Sequence, residues 1–392
     1  MFRMSQYLNE LLEAPQPVPT GPAVRPTLPG PVVIWNLIRR CNLNCLHCYT
    51  TSADINFPGE LSTQEALSVL DDLHDAGVRV LILSGGEPLL RPDLLEIATR
   101  AKSMGFYVGL SSNGTMIDVA LAHRIAEIGF DYVGISIDGL QAAHDRFRRV
   151  EGSFADAMSG LAACQSEGIK VGLRFTLTQA NAPDLPAILD LMEERSIDKF
   201  YLSHLNYGGR GHRNRKEDAE FQLTRSVMEH LFTTCLNRLK AGHQVEFVTG
   251  NNDADGPFLL KWIEQHYPAY RPQIEARLKR WGGNASGVNI ANIDNLGNVH
   301  PDTFWWHYGL GNVRSRPFKA IWNDHSDPLM AGLKASPRPL KGRCASCQYL
   351  TICNGNTRVR AHQLTGDAWA EDPGCYLTDD EIGLSLPNAS AH

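Results

Sequence analysis

Apolar and polar residues change period repeatedly along this chain. Residues 32–37 form an apolar run that reads as a strand. Residues 63–76 take a helical period, with Ser62 or Thr63 as N-cap and Gly77 as stop. Residues 78–83 are apolar except for Arg79 and rich in β-branched residues, the mark of a strand covered on both faces. The same alternation predicts helices over 92–104, 118–128, 154–167, 183–194 and 224–241. It predicts strands over 107–111, 132–137, 171–176 and 200–204.

Six strand–helix units with short links build a parallel sheet with its helices outside, and right-handed crossovers curl it. The predicted fold class is therefore α/β: a partial (β/α)6 TIM-like barrel followed by a small C-terminal domain. Functional residues are expected on loops at the C-terminal ends of the strands. The expected division is a proline-rich lead over 1–31, the barrel over 32–245, a linker over 246–287 with one helix at 258–265, and a C-terminal domain and tail over 288–392. That last part opens on a hairpin over 288–299, with Asn295-Leu296-Gly297-Asn298 at its turn.

Composition excludes more than it assigns. The chain is 43% apolar and 20% charged, with a net charge of −6, so it lacks the basic excess of a nucleic-acid binder. No run of about 18 apolar residues is present to cross a membrane, and the lead carries no apolar stretch of signal-peptide length. A cytoplasmic protein without nucleic-acid or membrane partners is expected.

The nine cysteines change the picture. In a reducing compartment, clustered cysteines read as metal ligands or redox groups. Seven fall into two groups: Cys41, Cys45 and Cys48, then Cys344, Cys347, Cys353 and Cys375. Cys164 and Cys235 lie alone in predicted helices and read as small buried hydrophobes.

The first group, Arg-Arg-Cys-Asn-Leu-Asn-Cys-Leu-His-Cys-Tyr over 39–49, has the spacing C-x3-C-x2-C and follows the first strand. Three thiolates suit three irons of a 4Fe–4S cube and leave the fourth iron open for a substrate or cofactor. A zinc site with His47 as fourth ligand satisfies the same spacing. Gly85-Gly86-Glu87-Pro88 follows the second strand, Ser111-Ser112-Asn113-Gly114 the third, and Ser136-Ile137-Asp138-Gly139 ends the fourth. Each alone reads as a turn or cap.

Together these motifs resemble the radical S-adenosylmethionine (SAM) superfamily, with His47 in its aromatic position. The resemblance implies that Cys41, Cys45 and Cys48 hold a SAM-cleaving 4Fe–4S cluster. It implies SAM contacts at His47, Gly85, Gly86, Glu87, Pro88, Ser112, Asn113, Ser136 and Asp138. Arg148, in a His-Asp-x-Phe-Arg stretch, corresponds to a SAM-carboxylate arginine; a surface salt bridge is the plain alternative.

The second group has the spacing C-x2-C-x5-C-x21-C. Four cysteines satisfy a zinc site equally, yet the spacing resembles the SPASM and twitch iron–sulfur extensions of radical SAM proteins. Asp302 and Thr357 stand where full SPASM proteins carry further cysteines, so the resemblance implies two 4Fe–4S clusters rather than three.

At closer range, PGPVVIWNLIRRCNLNCLHCYT, VLILSGGEPLLRPDL, GFYVGLSSNGT and the tail GNTRVRAHQLTGD with EDPGCYL resemble radical SAM proteins of haem d1 biosynthesis. That resemblance implies removal of two propionate side chains from 12,18-didecarboxysirohaem by a 5′-deoxyadenosyl radical. It also implies an external electron donor such as a flavodoxin or ferredoxin. Another SAM-dependent haem-type propionate decarboxylase or a peptide maturase is the rival. Arg210, Arg213 and Arg215 are candidates for the substrate carboxylates, because arginine binds carboxylates in a fork; a solvated basic loop explains them as simply. His212, His300 and His307 are weaker candidates for the substrate iron. Trp305 and Trp306 are expected in the core.

Overall fold

The computed structural model describes residues 1–18, 21 and 29–384. The predicted proline-rich lead therefore lies partly outside the described residues. Ten strands run through them: β1 (Val32–Asn36), β2 (Val80–Ser84), β3 (Tyr107–Ser112), β4 (Tyr132–Ser136), β5 (Val171–Leu177), β6 (Lys199–His204), β7 (Glu246–Gly250), β8 (Ile290–Ile293), β9 (Asn298–His300) and β10 (Gly311–Asn312).

Two compact units divide the chain, one of Thr27–Asp218 with Ser286–Lys334, the other of Met1–Pro26, Ala219–Ala285 and Ala335–His392. The first unit is the α/β part. Strands β1 to β6 pair in sequence order, all parallel, forming an open (β/α)6 sheet. Between them run α2 (Thr63–Asp75), α3 (Leu94–Ser103), α4 (Val119–Ile128), α5 (Gln141–Arg148), α6 (Ser153–Ser166) and α7 (Leu185–Glu194), after the short N-terminal helix α1 (Met4–Leu8).

Local chemistry sets these boundaries. Ser62 caps α2 through the Glu65 backbone N–H while the Glu65 carboxylate returns to the Ser62 N–H, a complete capping box. Gly129 ends α4 in the left-handed region at φ 78°. Leu81, Leu83, Val108, Leu110, Val133, Ile135 and Leu173 are wholly buried and form the sheet's core.

The hairpin is where sequence and structure part. β8 pairs in parallel with β1, Val32 facing Ile290 and Trp35 facing Ile293, and β9 and β10 follow antiparallel. The hairpin thus extends the barrel sheet within the first unit. Asn292 supplies a reason: its Nδ2 donates to Ile34 O at 2.7 Å and Asn36 Oδ1 at 2.6 Å.

The second unit gathers the α1 segment, α9 (Phe221–Lys240), β7, α10 (Asp255–His266), α11 (Arg271–Trp281) and the cysteine-bearing tail. Phe2 and Thr249 exchange backbone hydrogen bonds at 2.8 Å, tying the N-terminus to β7. The 246–287 stretch, read from sequence as a linker with one helix, holds β7 and two helices. Its apolar positions Phe247, Val248, Phe258, Leu259, Ile263, Ile274 and Leu278 are buried. Cys164 and Cys235 are buried in α6 and α9, as expected.

Candidate active site

Cys41, Cys45 and Cys48 occupy the loop after β1, Cys41 and Cys45 buried around Leu43 and Cys48 half-buried beside them. Backbone N–H groups of Leu43 and Ser52 reach Cys41 Sγ and Cys48 Sγ, each at 3.4 Å. Burial pushes the Cys41 thiol up to about 12 and raises that of Cys45. Thiolates here therefore need positive partners. Arg148 supplies one: its Nη1 lies 3.4 Å from Cys45 Sγ.

The GGEP turn lies against this loop. Gly86 N donates to Ile38 O at 2.6 Å and Glu87 N to Arg40 O at 2.9 Å. A Cβ on Gly85 would stand 2.5 Å from Ile38 O, and one on Gly86 only 2.1 Å from Arg40 O. The two glycines thus allow backbone to approach backbone, and Pro88 begins a short 3-10 turn behind them.

Glu87 is fully buried and accepts from Ser112 Oγ at 2.9 Å and Asn113 N at 2.8 Å, joining the ends of β2 and β3. Burial lifts its carboxyl to about 7, against those hydrogen bonds. Asn113 Nδ2 in turn donates to Asn42 Oδ1 at 2.8 Å, inside the cysteine loop.

The His-Asp-x-Phe-Arg stretch folds as α5, which puts His144, Phe147 and Arg148 on one face. Arg148 is buried and bonds the Asp138 carboxylate, so the surface salt-bridge reading fails. Asp138 is also fully buried and takes Thr176 N at 2.6 Å. Both its oxygens are therefore engaged, and it acts by holding Arg148. His47 stacks on Phe147 with centroids 4.4 Å apart. Burial, with Arg148 and Arg210 nearby, keeps His47 neutral, its pKa well below the usual histidine value. Among the described residues, His47 Nδ1, His144 Nε2 and Arg148 Nε are buried without hydrogen-bond partners.

The three candidate arginines after β6 separate. Arg210, on the short helix α8 (Gly209–Arg213), donates from Nε to Cys45 O at 2.7 Å and from Nη1 to Ser52 O at 2.8 Å. It braces the cysteine loop. Arg213 and Arg215 are exposed. His300 is buried with both ring nitrogens engaged, by Tyr308 O at 2.8 Å and Asp294 Oδ2 at 3.3 Å, so no nitrogen remains for a substrate metal. His212 is half-buried and His307 exposed. Trp305 is fully buried, whereas Trp306 is half-buried and stacks on His300.

The second cysteine group lies in the other unit. Cys344, Cys347, Cys353 and Cys375 are all half-buried. Cys353, raised well above the ordinary thiol by burial, also feels Asp253 and the other three cysteines, so the four share one neighbourhood. Gly283 is required beside it, since a Cβ there would meet Cys353 O at 2.1 Å. Arg360 and Asp372 form a fully buried two-pronged pair at 2.7 and 2.9 Å behind the Cys375 turn. Asp302, which stands where full SPASM proteins carry a cysteine, accepts from Phe304 N at 2.8 Å. Among the described residues no three His, Cys, Asp or Glu side chains gather as a single-ion site.

Residues 35–198 match the family model of the Radical SAM superfamily. The chain is 52% identical over 387 residues to Pre-heme d1 synthase of Dinoroseobacter shibae, covering 98% of this chain and 94% of that one. It is 45% identical over 356 residues to Fe-coproporphyrin III synthase of Methanosarcina barkeri, covering 90% and 89%. This chain belongs to the radical SAM superfamily. It is an enzyme of reductive SAM cleavage, and its family uses a 4Fe–4S cluster with SAM. The fold agrees with that of Streptococcus suis SuiB bound to SAM, with a TM-score of 0.71 at 17% identity over 90% of this chain and 78% of that one. It agrees also with anSMEcpe bound to SAM, with a TM-score of 0.67 at 17% identity over 87% and 93%.

In this radical SAM enzyme the predicted motifs meet: the cysteine loop, Glu87, Ser112, Asn113, Asp138 and Arg148 form one connected network. Two residues escaped the sequence reading. Asn206, after β6, is buried, and neither amide atom has a partner among the described residues. Arg174 projects from β5. Neither lies in a motif, and period-two alternation along β5 was the available signal for Arg174.

Proposed function

We propose that this enzyme removes two propionate side chains from 12,18-didecarboxysirohaem to give a haem d1 precursor. The observation that carries the substrate is the 52% identity to Pre-heme d1 synthase across nearly the whole length of both chains. Cys41, Cys45 and Cys48 would hold the SAM-cleaving cluster, and the donor set fits it. Three thiols share one loop, two of them buried, with a guanidinium and backbone N–H groups directed at sulfur. When bound, the cluster and SAM supply a 5′-deoxyadenosyl radical able to take a hydrogen atom from a propionate.

Glu87 would receive the SAM amino group, for a buried carboxylate is the acceptor that group requires. Ser112, Asn113 and Ser136, at the ends of β3 and β4, would position its ribose and methionine portions. Arg148 would face the SAM carboxylate while Asp138 holds its fork in place. His47, stacked and neutral, would close the pocket beside Cys48. The buried, unpartnered His144 Nε2 and Arg148 Nε are polar groups that a ligand would satisfy. Cys344, Cys347, Cys353 and Cys375 would hold a second 4Fe–4S cluster able to pass an electron. A flavodoxin or ferredoxin would reduce the first cluster, and the enzyme would work in the cytoplasm. No helix among the described residues is long and apolar enough to cross a membrane.

The 45% identity to Fe-coproporphyrin III synthase supports a second reading, in which this chain performs that relative's reaction. The test is anaerobic turnover of reconstituted protein with dithionite, SAM and 12,18-didecarboxysirohaem, followed by mass spectrometry. A tetrapyrrole lacking two propionates together with 5′-deoxyadenosine is expected. Fe-coproporphyrin III as product would select the second reading. An untouched tetrapyrrole with 5′-deoxyadenosine formed would refute both.

A further inference from the structure

Strand β5 alternates. Val171, Leu173, Phe175 and Leu177 are buried, while Arg174 and Thr176 project from the other face and are half-buried. Register puts Arg174 opposite Ser136 of β4 and Tyr201 of β6, so the three form one row across adjacent strands. One register step earlier the row is Gly134, Gly172 and Lys199. Gly134 leaves room for the arginine stem: a Cβ there would stand 2.9 Å from Arg174 Cδ.

The guanidinium carbon rests 5.0 Å from the centroid of the Tyr201 ring. That face holds the cation without neutralising it. Among the described residues no carboxylate pairs with Arg174 and no acceptor takes its N–H groups. Asp138, the nearby anion, is already committed to Arg148. The Arg174 charge bears both on Asp138 and on Tyr49, which follows Cys48. Its register partner Ser136 is the last residue of β4, so Arg174 stands near the C-terminal end of the sheet, the end that carries the cysteine loop. Tyr49 is itself fixed there, its hydroxyl taking Asn36 Nδ2 at 2.8 Å.

The planar fork of a guanidinium matches a carboxylate. We infer that Arg174 anchors a carboxylate of the substrate on the inner face of the barrel. This rests on the reading of the substrate as a carboxylate-bearing tetrapyrrole. It moves the carboxylate contact from the basic loop after β6 to β5. Arg210 is bound to the loop carbonyls through Nε and Nη1, with only its buried Nη2 left over, and Arg213 and Arg215 face solvent, whereas Arg174 stands one strand from Ser136.

The test titrates 12,18-didecarboxysirohaem into the reconstituted holoprotein by absorbance, for wild type, Arg174→Gln and Arg174→Lys. SAM binding is measured in parallel by equilibrium dialysis. Arg174→Gln is expected to weaken the tetrapyrrole by about tenfold or more, as loss of a charge-assisted pair does, and to leave SAM affinity unchanged. Methyl esterification of the substrate carboxylates is expected to weaken binding to wild type but to add little in Arg174→Gln. A structural role alone would not produce that convergence.

Equal tetrapyrrole affinity in wild type and Arg174→Gln overturns the inference. So does a loss confined to SAM, which would make the SAM carboxylate the partner. Wild-type protein that does not bind the tetrapyrrole overturns the substrate reading, and this inference with it. Should Arg174→Gln not hold iron, Arg174→Lys decides. It keeps the charge without the fork, and weakened tetrapyrrole with unchanged SAM supports the anchor, while unchanged tetrapyrrole affinity refutes it.

Discussion

Arg148 Nη1 lies 3.4 Å from Cys45 Sγ, while a second nitrogen of the same guanidinium bonds the buried carboxylate of Asp138. One cation thus serves a thiolate and a carboxylate that burial would otherwise keep protonated. Arg148→Leu is expected to leave Asp138 unpaired and to cost roughly 3–5 kcal/mol, the usual penalty for breaking a buried pair. The iron bound per chain after reconstitution and the Tm should both fall, with Arg148→Lys between the variant and wild type. Full iron content with an unchanged Tm in Arg148→Leu would contradict this role.

Glu87 gives a pH signature. Its carboxyl rises from 4.5 to about 7 in the fold, through burial. The folded chain therefore binds a proton that the unfolded chain releases between those values. Linkage makes this contribution stabilising at low pH, and it is lost as pH rises through 7. The Tm of wild type relative to Glu87→Gln, which cannot ionise, should decline as pH rises from 4.5 to about 7 and level off above. SAM affinity in wild type should strengthen over the same interval as the carboxylate forms, and Glu87→Gln should lack that trend. Parallel profiles for the two proteins would remove Glu87 from both roles.

Gly86 tolerates no side chain. Its Cβ would meet Arg40 O at 2.1 Å and Arg39 O at 2.5 Å, both backbone atoms of the segment entering the cysteine loop. Gly86→Ala is expected to displace that loop and to cost roughly 1–3 kcal/mol, as overpacking does. Reduced iron incorporation, with the second cysteine group intact, is the measurable consequence.

The tail cysteines should hold their own cluster. Cys347→Ala with Cys353→Ala is expected to lower iron from about eight to about four per chain. The electron paramagnetic resonance response of the remaining cluster to SAM should persist. Iron that stays near eight would show the tail group to be no cluster site, and loss of all iron would show the two groups to be interdependent.

The sequence by itself determined most of the order of elements and the superfamily. Period switching from 2 to 3.6 is a local property, so β1 to β6 and the helices between them, α5 excepted, were legible within a few residues. The seven clustered cysteines and the Gly85-Gly86-Glu87 turn stand out in the sequence by spacing and residue type, whereas Asn113 and Arg148 are singled out only by the family resemblance. What the tertiary structure decided was partnership. Whether Arg148 forms a surface salt bridge or pairs with Asp138 in the interior depends on which face of α5 is buried, and that requires the fold. Arg210 reads as a substrate contact in the sequence, whereas in the fold its Nε and Nη1 brace Cys45 O and Ser52 O. The hairpin at residues 290–300 read as the start of a new domain, yet its first strand extends the barrel sheet along β1. Strand pairing joins residues more than 250 positions apart, and no local periodicity records such a choice. Arg174 is the sharpest case. Its row with Ser136 and Tyr201 exists only in register across three strands, and Gly134, which makes room for it, is a neighbour in space.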